Sequence, residues 1–328
     1  MTHYDRDTTT DEVLAGVDLS GKRVLITGTS SGLGRESARA LASKGAAITM
    51  AARDANKNEA AAEAIRQQVP DADLETRSID LTSLESIRSF AKDFLSDHDR
   101  IDVLINNAGV MVCPHGTTQD GFEMQLGTNH LGHFLLSVLL APALVDGEPS
   151  RVVALSSGAH GMSDIDFDDL MFERRDYDPW LAYGQSKTAN ALFALELDRR
   201  LGDRGVRAFS VHPGMIMTEL ARHMNEEVMA QMQVHIKARA LEAGASEEDA
   251  SNAGLRFKSL EAGAATQVWG ATAPELDAQG GAYLADCQVG EVGGNVGESG
   301  VAPHARDAET AERLWAVSEE LVGEGLEA

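Results

Sequence analysis

The sequence predicts an α/β fold: a single-domain, doubly wound parallel sheet with helices on both faces. Three observations predict it. Short, apolar, β-branched runs alternate with helical patterns along most of the chain. The runs are almost continuously apolar, as strands covered on both faces must be. No Pro- or Ser-rich linker and no internal repeat interrupts the alternation, so one domain over 1–328 is the simplest expectation.

Taken in order, strands are expected at 23–27, 46–50, 102–106, 151–156 and 206–211. A weaker run at 74–79 supplies one more, and 282–285, after Gly280-Gly281, a last one. Helical patterns fill the intervals at 33–44, 55–69, 83–96, 122–144 and 182–201, with a final helix at 307–322. Residues 1–18 read as an N-terminal extension and 288–328 as a C-terminal tail, Gly-rich and irregular at 291–300. Right-handed crossovers in such a sheet bring ligands to the carboxyl ends of the strands.

Composition removes several classes of function. With 28 Lys+Arg against 52 Asp+Glu the formal net charge is −24, which speaks against nucleic acid or an anionic membrane as partner. A hydrophobic content of 43% excludes a disordered chain. Cys113 and Cys287 are the only cysteines, too few for a disulfide framework or a multi-cysteine zinc site. His130 and His133 share a helical pattern without Glu or Cys partners and read as packed residues, so no metal is expected. Residues 1–12 lack the apolar stretch of a signal peptide. The best apolar run, 131–145, contains His133 and Pro142 and is too short to span a bilayer. A cytoplasmic protein is the expectation.

The first strand leads into Thr27-Gly28-Thr29-Ser30-Ser31-Gly32-Leu33-Gly34 and then a helix. Glycines let backbone turn sharply and approach a pyrophosphate, and a helix N-terminus presents free N–H groups to it. A plain strand-to-helix turn would need one glycine, not three with small hydroxyl residues between them. The second strand ends Ala51-Ala52-Arg53-Asp54. Arg53 there favours the 2′-phosphate of NADP, while Asp54 keeps NAD as the alternative.

Tyr183 and Lys187 stand four apart on one helix face. A phenol exchanges protons poorly at neutral pH, and a nearby ammonium is expected to lower its pKa and let it serve as general acid or base. Alone the pair is a weak signal. Ser156-Ser157 after the fifth strand and Asn106-Asn107-Ala108-Gly109 after the fourth bring polar residues to the same sheet edge, which strengthens it.

Together these residues resemble the short-chain dehydrogenase/reductase family over nearly the whole chain, from Leu19 to about Cys287. The matching text comprises the glycine loop, Asp80-Leu81, Asn106-Asn107-Ala108-Gly109, Asn129, Ser157, Tyr183-x3-Lys187 and His212-Pro213-Gly214 with Thr218. Within the family the chain is most similar to the retinol-dehydrogenase and WW-domain-oxidoreductase group, through Asn129-His130-Leu131-Gly132-His133-Phe134 and the residues around Tyr183.

The resemblance implies a Rossmann-like sheet and roles for matched positions. Tyr183 would exchange the proton with the substrate oxygen. Lys187 would lower the tyrosine pKa and hold the nicotinamide ribose. Ser157 would orient the oxygen, and Asn129 would complete a water relay. Gly28, Ser30, Ser31, Gly32, Leu33, Gly34, Arg53, Asp80, Leu81, Asn107, Ala108, Gly109, Pro213, Gly214 and Thr218 would bind the cofactor.

The family likeness also implies a homo-oligomer, dimer or tetramer, with helices 122–144 and 182–201 at its interface. The 26 residues from Ser157 to Tyr183 exceed the compact members' spacing and read as a surface excursion held by ion pairs. Trp180 is expected to wall the site. Between 218 and 258 the methionines fit a lid over a bulky hydrophobic alcohol or carbonyl. Two rival functions stay open: reduction of a carbon–carbon double bond, and a catalytically idle dinucleotide sensor.

Overall fold

The computed structural model describes residues 4–147, 149–224, 226–242, 246, 257–296 and 299–326. Its central sheet consists of β1 (Arg23–Thr27), β2 (Ala47–Ala52), β3 (Leu74–Ser78), β4 (Val103–Asn106), β5 (Ser150–Leu155), β6 (Val206–His212), β7 (Tyr283–Ala285) and β8 (Gln288–Val289). The spatial order is β3-β2-β1-β4-β5-β6-β7-β8, parallel except for β8. The strand order reverses between β1 and β4, and that switch point is where such sheets open a ligand crevice.

Side-chain alternation within the strands explains the two covered faces. Val24 and Ile26 of β1 enter one buried cluster, with Leu41 of α2 (Gly32–Ala42), Ile65 of α3 (Ala55–Gln68) and Val268 of α10 (Leu260–Thr272). Leu25, between them, enters the other. There it joins Phe90 of α4 (Leu84–Asp97), Phe134 of α6 (Gly132–Leu139), Phe193 of α8 (Pro179–Leu201) and Trp315 of α11 (Ala308–Val322). The N-terminal stretch docks on the first face: Leu14, after the short α1 (Thr10–Val13), is fully buried, and Thr10 donates to Glu36 at 2.6 Å.

The pattern at 122–144 forms a broken rod instead of one helix. It runs as α5 (Met124–Leu126), a π turn (Gly127–Leu131), α6 and α7 (Ala141–Asp146). Pro142 near the start of α7 cannot continue the ladder of N–H donors. At the π turn a Cβ on Gly127 would lie 2.4 Å from the Thr118 methyl, and one on Gly132 2.8 Å from the Leu81 carbonyl. The backbone is pressed against its neighbours there, and the widened turn presents Asn129.

The tail carries more order than its glycines predict. β8 extends the sheet, and β9 (Glu291–Val292) pairs with β10 (Gly300–Val301). Helix α11 then lies against α6 and α8, with Trp315 edge-on to Phe134 at 4.8 Å and stacked on Phe193 at 6.0 Å. Part of the apolar face of α6 and α8 is therefore covered by the chain's own C-terminal helix. Among the described residues no helix is long and apolar enough to cross a membrane.

Candidate active site

Local rules set the glycine loop. Gly28 has φ +74°, and a Cβ on it would lie 2.8 Å from the Ala108 Cα. A Cβ on Gly34 would lie 2.4 Å from the Gly28 carbonyl, so Gly34 lets α2 press onto β1. The loop is clamped from β4: Asn107 Nδ2 donates to the Thr27 carbonyl at 2.7 Å, and the Asn107 and Ala108 amides both donate to Thr27 Oγ1 at 3.0 Å. His133 completes this clamp. Its Nδ1 donates to the Asn129 carbonyl at 2.9 Å, which leaves Nε2 to accept from Thr27 Oγ1 at 2.9 Å. Burial holds His133 neutral, its pKa lowered to about 4. The reading of His133 as a packed residue stands, and its load is the loop.

Helix α8 carries the reactive pair. It starts at Pro179, three residues before the predicted start, because Asp178 accepts from the Trp180 and Leu181 amides and Pro179 occupies the first turn. A Cβ on Gly184 would lie 2.8 Å from the Ala159 carbonyl, so α8 lies tight against the turn that follows β5. Tyr183 thereby shares the cleft wall with Ser157, whose nearby hydroxyl exerts a small downward pull on the phenol's pKa. Ser156 points elsewhere and donates to the Lys187 carbonyl at 2.8 Å, which singles out Ser157 as the hydroxyl beside the phenol.

The electrostatics differ from the expectation of a lowered tyrosine pKa. Burial pushes the Tyr183 phenol up to about 12, against a smaller lowering by Ser157. Burial likewise brings Lys187 down to about 7. The physical reason is lost hydration of both charged forms. Lys187 Nζ sits 5.6 Å from the tyrosine ring centroid and gives one of its N–H groups to the Leu155 carbonyl at 2.9 Å.

One cleft of about 1970 Å³ joins these parts, against the roughly 300–1,000 Å³ of an ordinary small-ligand site. Its wall contains Gly28, Ser30, Ser31, Gly32, Leu33, Arg53, Asp80, Leu81, Asn107, Ala108, Gly109, Ser157, Tyr183, Lys187, Pro213, Gly214 and Thr218. Two sequence candidates lie outside that wall. Gly34 packs behind the loop. The Asn129 side chain is fully buried, accepts from the Val110 amide at 2.8 Å, and donates to the Val110 carbonyl and to Ser186 Oγ, both at 2.9 Å. Its amide is committed to holding the backbone after Gly109.

Asp54 caps α3 by accepting from the Lys57 amide at 3.0 Å, and Lys57 joins Arg53 on the cleft wall. Lys57 went unnoticed in the sequence, although Asp-x-x-Lys at a helix start places both residues at one end. Lys258 and Asp286 are also unforeseen; they form an ion pair on the wall beside Gly214. Their partners are distant in sequence, so no local pattern announces them.

Met215, Met217, Met224, Met229 and Met232 all line the cleft. Trp180 packs edge-on to Tyr183 at 6.5 Å, and its Nε1 donates at 3.2 Å to the Val228 carbonyl of α9 (Glu226–Glu242). The expected lid at 218–258 is thus tied to the tyrosine, while 225, 243–245 and 247–256 lie outside the described residues. The excursion after Ser157 is held as expected: Arg175 pairs with Asp166 at 2.9 Å and Asp169 at 3.6 Å. Cys113 is buried beside Tyr177, whose hydroxyl donates to the Cys113 carbonyl at 3.2 Å.

Comparison with known proteins agrees with this architecture. The profile of the family described as short chain dehydrogenase matches residues 22–229. Human retinol dehydrogenase 13 is 43% identical over 310 residues, 93% of this chain and 86% of that protein. Human retinol dehydrogenase 12 is 42% identical, over 94% of this chain and 88% of that protein. A crystal structure of an uncharacterized Mycobacterium paratuberculosis protein superposes with a TM-score of 0.70 at 37% identity, covering 95% of this chain and 97% of that one. With the family profile covering most of the chain and relatives above 40% identical along nearly all of it, the chain belongs to the short-chain dehydrogenase family, in its retinol-dehydrogenase group, and is an NAD(P)-dependent oxidoreductase.

Proposed function

We propose that the chain interconverts a bulky hydrophobic alcohol and its carbonyl compound with NADP(H) as the preferred cofactor. The observation that carries this reading is the continuity of the cleft: glycine cradle, Tyr183 with Ser157 and Lys187, then the methionine wall. The cradle suits a dinucleotide, because Gly28, at φ +74°, lets the loop turn sharply and pack against Ala108, and the N-terminus of α2, whose N-cap Ser31 makes no side-chain cap bond, faces the cleft where a pyrophosphate would lie. When bound, the nicotinamide supplies or accepts the hydride.

The chain's own residues do the rest. Tyr183, protonated throughout the neutral range, gives its proton to the carbonyl oxygen in reduction. Ser157, beside that phenol on the cleft wall, orients the same oxygen. Lys187, braced on the Leu155 carbonyl, holds the cofactor ribose. Asn129 acts at one remove, by fixing the backbone after Gly109. Two hydroxyls directed at one oxygen favour a carbonyl over a carbon–carbon double bond as the reacting group.

Arg53 and Lys57 supply positive charge where a 2′-phosphate would lie, and Asp54 is engaged as a helix cap. Methionines and Trp180 suit a long apolar substrate, which makes retinol, named in the relatives, a natural probe. The test is an absorbance assay with NADPH and NADH against retinaldehyde, decanal and cinnamaldehyde. Faster turnover with NADPH on at least one aldehyde is expected; no turnover of any, or a preference for NADH, overturns the reading.

A further inference from the structure

We propose that His160 is a positioning residue that couples the C-terminal strap of the chain, the paired β9 and β10 and Ala302 after them, to Ser157. The proposal rests on the reading of Ser157 above. His160 is fully buried in the 3-10 turn Gly158–Met162, directly after that serine. Its backbone amide and its Nδ1 both donate to the Ser157 carbonyl, at 3.0 and 2.6 Å. On the opposite side of the ring, Nε2 accepts the Ala302 amide at 2.9 Å. The Ser157 and Ala302 bonds require the same neutral tautomer, with the proton on Nδ1, and the Tyr283 hydroxyl, 3.2 Å from Nδ1, is then a second, longer acceptor for that proton. The Tyr283 ring, centred 4.9 Å away, fixes the plane of the imidazole.

A satisfied core histidine would also be buried and bonded. What distinguishes His160 is the identity of its two ends. One end is Ser157, which lines the cleft together with Tyr183. The other is the start of the turn after β10, and β10 holds the glycine loop of the strap: the Gly293 amide donates to Val301 at 2.9 Å and the Gly300 amide to Asn295 at 2.8 Å. Gly294, Asn295 and Ala302 line the cleft. The His160 carbonyl adds a third tie, accepting from Thr188 of α8 and from His304 after the strap, both at 2.9 Å. A single imidazole therefore sets the Ser157 backbone and the far wall of the substrate space in one register.

Two substitutions divide the ring's bonds. His160→Asn keeps a donor near Nδ1 and gives up the Ala302 bond; His160→Gln keeps an acceptor near Nε2 and gives up the donor to Ser157. The readout is steady-state turnover of the fastest of the three aldehydes named above with NADPH, together with NADPH binding by fluorescence. For Asn, kcat should stay within about threefold of the parent while KM rises roughly fivefold. For Gln, kcat should fall about tenfold with KM nearly unchanged, and NADPH affinity should hold in both. Equal kcat losses in the two, or both parameters within about twofold of the parent in both, would overturn the proposal.

Ala302→Pro approaches the same link from the strap and keeps the test alive if a histidine variant does not fold. Residue 302 has φ −65°, which proline adopts, and the substitution removes the amide that His160 accepts. It should raise KM and spare kcat, as His160→Asn does; an unchanged KM sinks the coupling. Ser157→Ala separates the two levels of the argument. Unimpaired turnover in that variant would retire the site reading itself, whatever the His160 pair does.

Discussion

The two ends of the cleft are built in opposite ways. At the glycine end the wall is main chain: residues 27–34 and 107–109 meet through amides, carbonyls and the Thr27 hydroxyl, and missing side chains let these segments pack that closely. At the methionine end the wall is side chain, with Trp180, Met215 and Met232 arriving from three separate stretches and Asn295 from a fourth. A backbone cradle admits one kind of guest and tolerates no added atoms. A wall of flexible thioethers can be reshaped without disturbing the sheet. Helix α8, carrying Tyr183 and Lys187, stands between them and belongs to both.

That contrast can be broken in order of expected effect. Tyr183→Phe should lower turnover by roughly a thousandfold or more while NADPH binding, followed by fluorescence, is retained. Unchanged turnover would take the chemistry away from the middle of the cleft. Arg53→Ala should weaken NADPH about tenfold to a hundredfold and leave NADH nearly untouched, and titration with each cofactor decides it. Similar losses for both would mean that the arginine does not read the 2′-phosphate.

Gly34→Ala sharpens the comparison, since the residue touches no ligand space. Its Cβ would lie 2.4 Å from the Gly28 carbonyl, so a stability loss of about 1–3 kcal/mol in urea unfolding is expected, with weakened cofactor binding following from the displaced loop. Full stability would show that the cradle is less rigid than its packing indicates.

The smallest effect, per unit of pH, concerns Lys187. Its folded pKa of about 7 lies below the usual lysine value, so between pH 7 and about 10 the unfolded chain holds a proton the folded chain has lost. Folding stability from this group therefore rises with pH across that window and is lowest below it. Lys187→Met should stabilise the fold most at or below pH 7, and the advantage should shrink by up to about 1.4 kcal/mol per unit as pH rises. Melting temperatures of the two proteins that run parallel from pH 7 to 10 would contradict it.

The legible parts of the molecule are those whose causes are local. The strands alternate between two covered faces, so β1, β4, β5 and β6 could be read within a residue or two. Tyr183 and Lys187 were legible because one helical turn puts them side by side. The start of α8 lies three residues ahead of its apolar pattern, because Asp178 and Pro179 begin a helix through capping and not through apolar spacing. The break at 127–131 was not legible, because what forces it is contact with Thr118 and Leu81 from other stretches. The direction of the Tyr183 shift was misjudged for a related reason: burial depends on what surrounds α8, and spacing along a helix says nothing about that.

The order of apolar runs, the three glycines and the turn-spaced phenol and amine suffice by themselves for a doubly wound sheet with a glycine loop after its first strand and a tyrosine–lysine pair on one helix face. These depend on backbone sterics and periods of two and 3.6 residues, which act over a few positions. The neighbours of Asn129, the seating of α11 on α6 and α8, and the span from Ser157 through His160 to Ala302 were decided only when distant segments met. Desolvation and hydrogen-bond partnership belong to the packed chain, and no short stretch of sequence contains them.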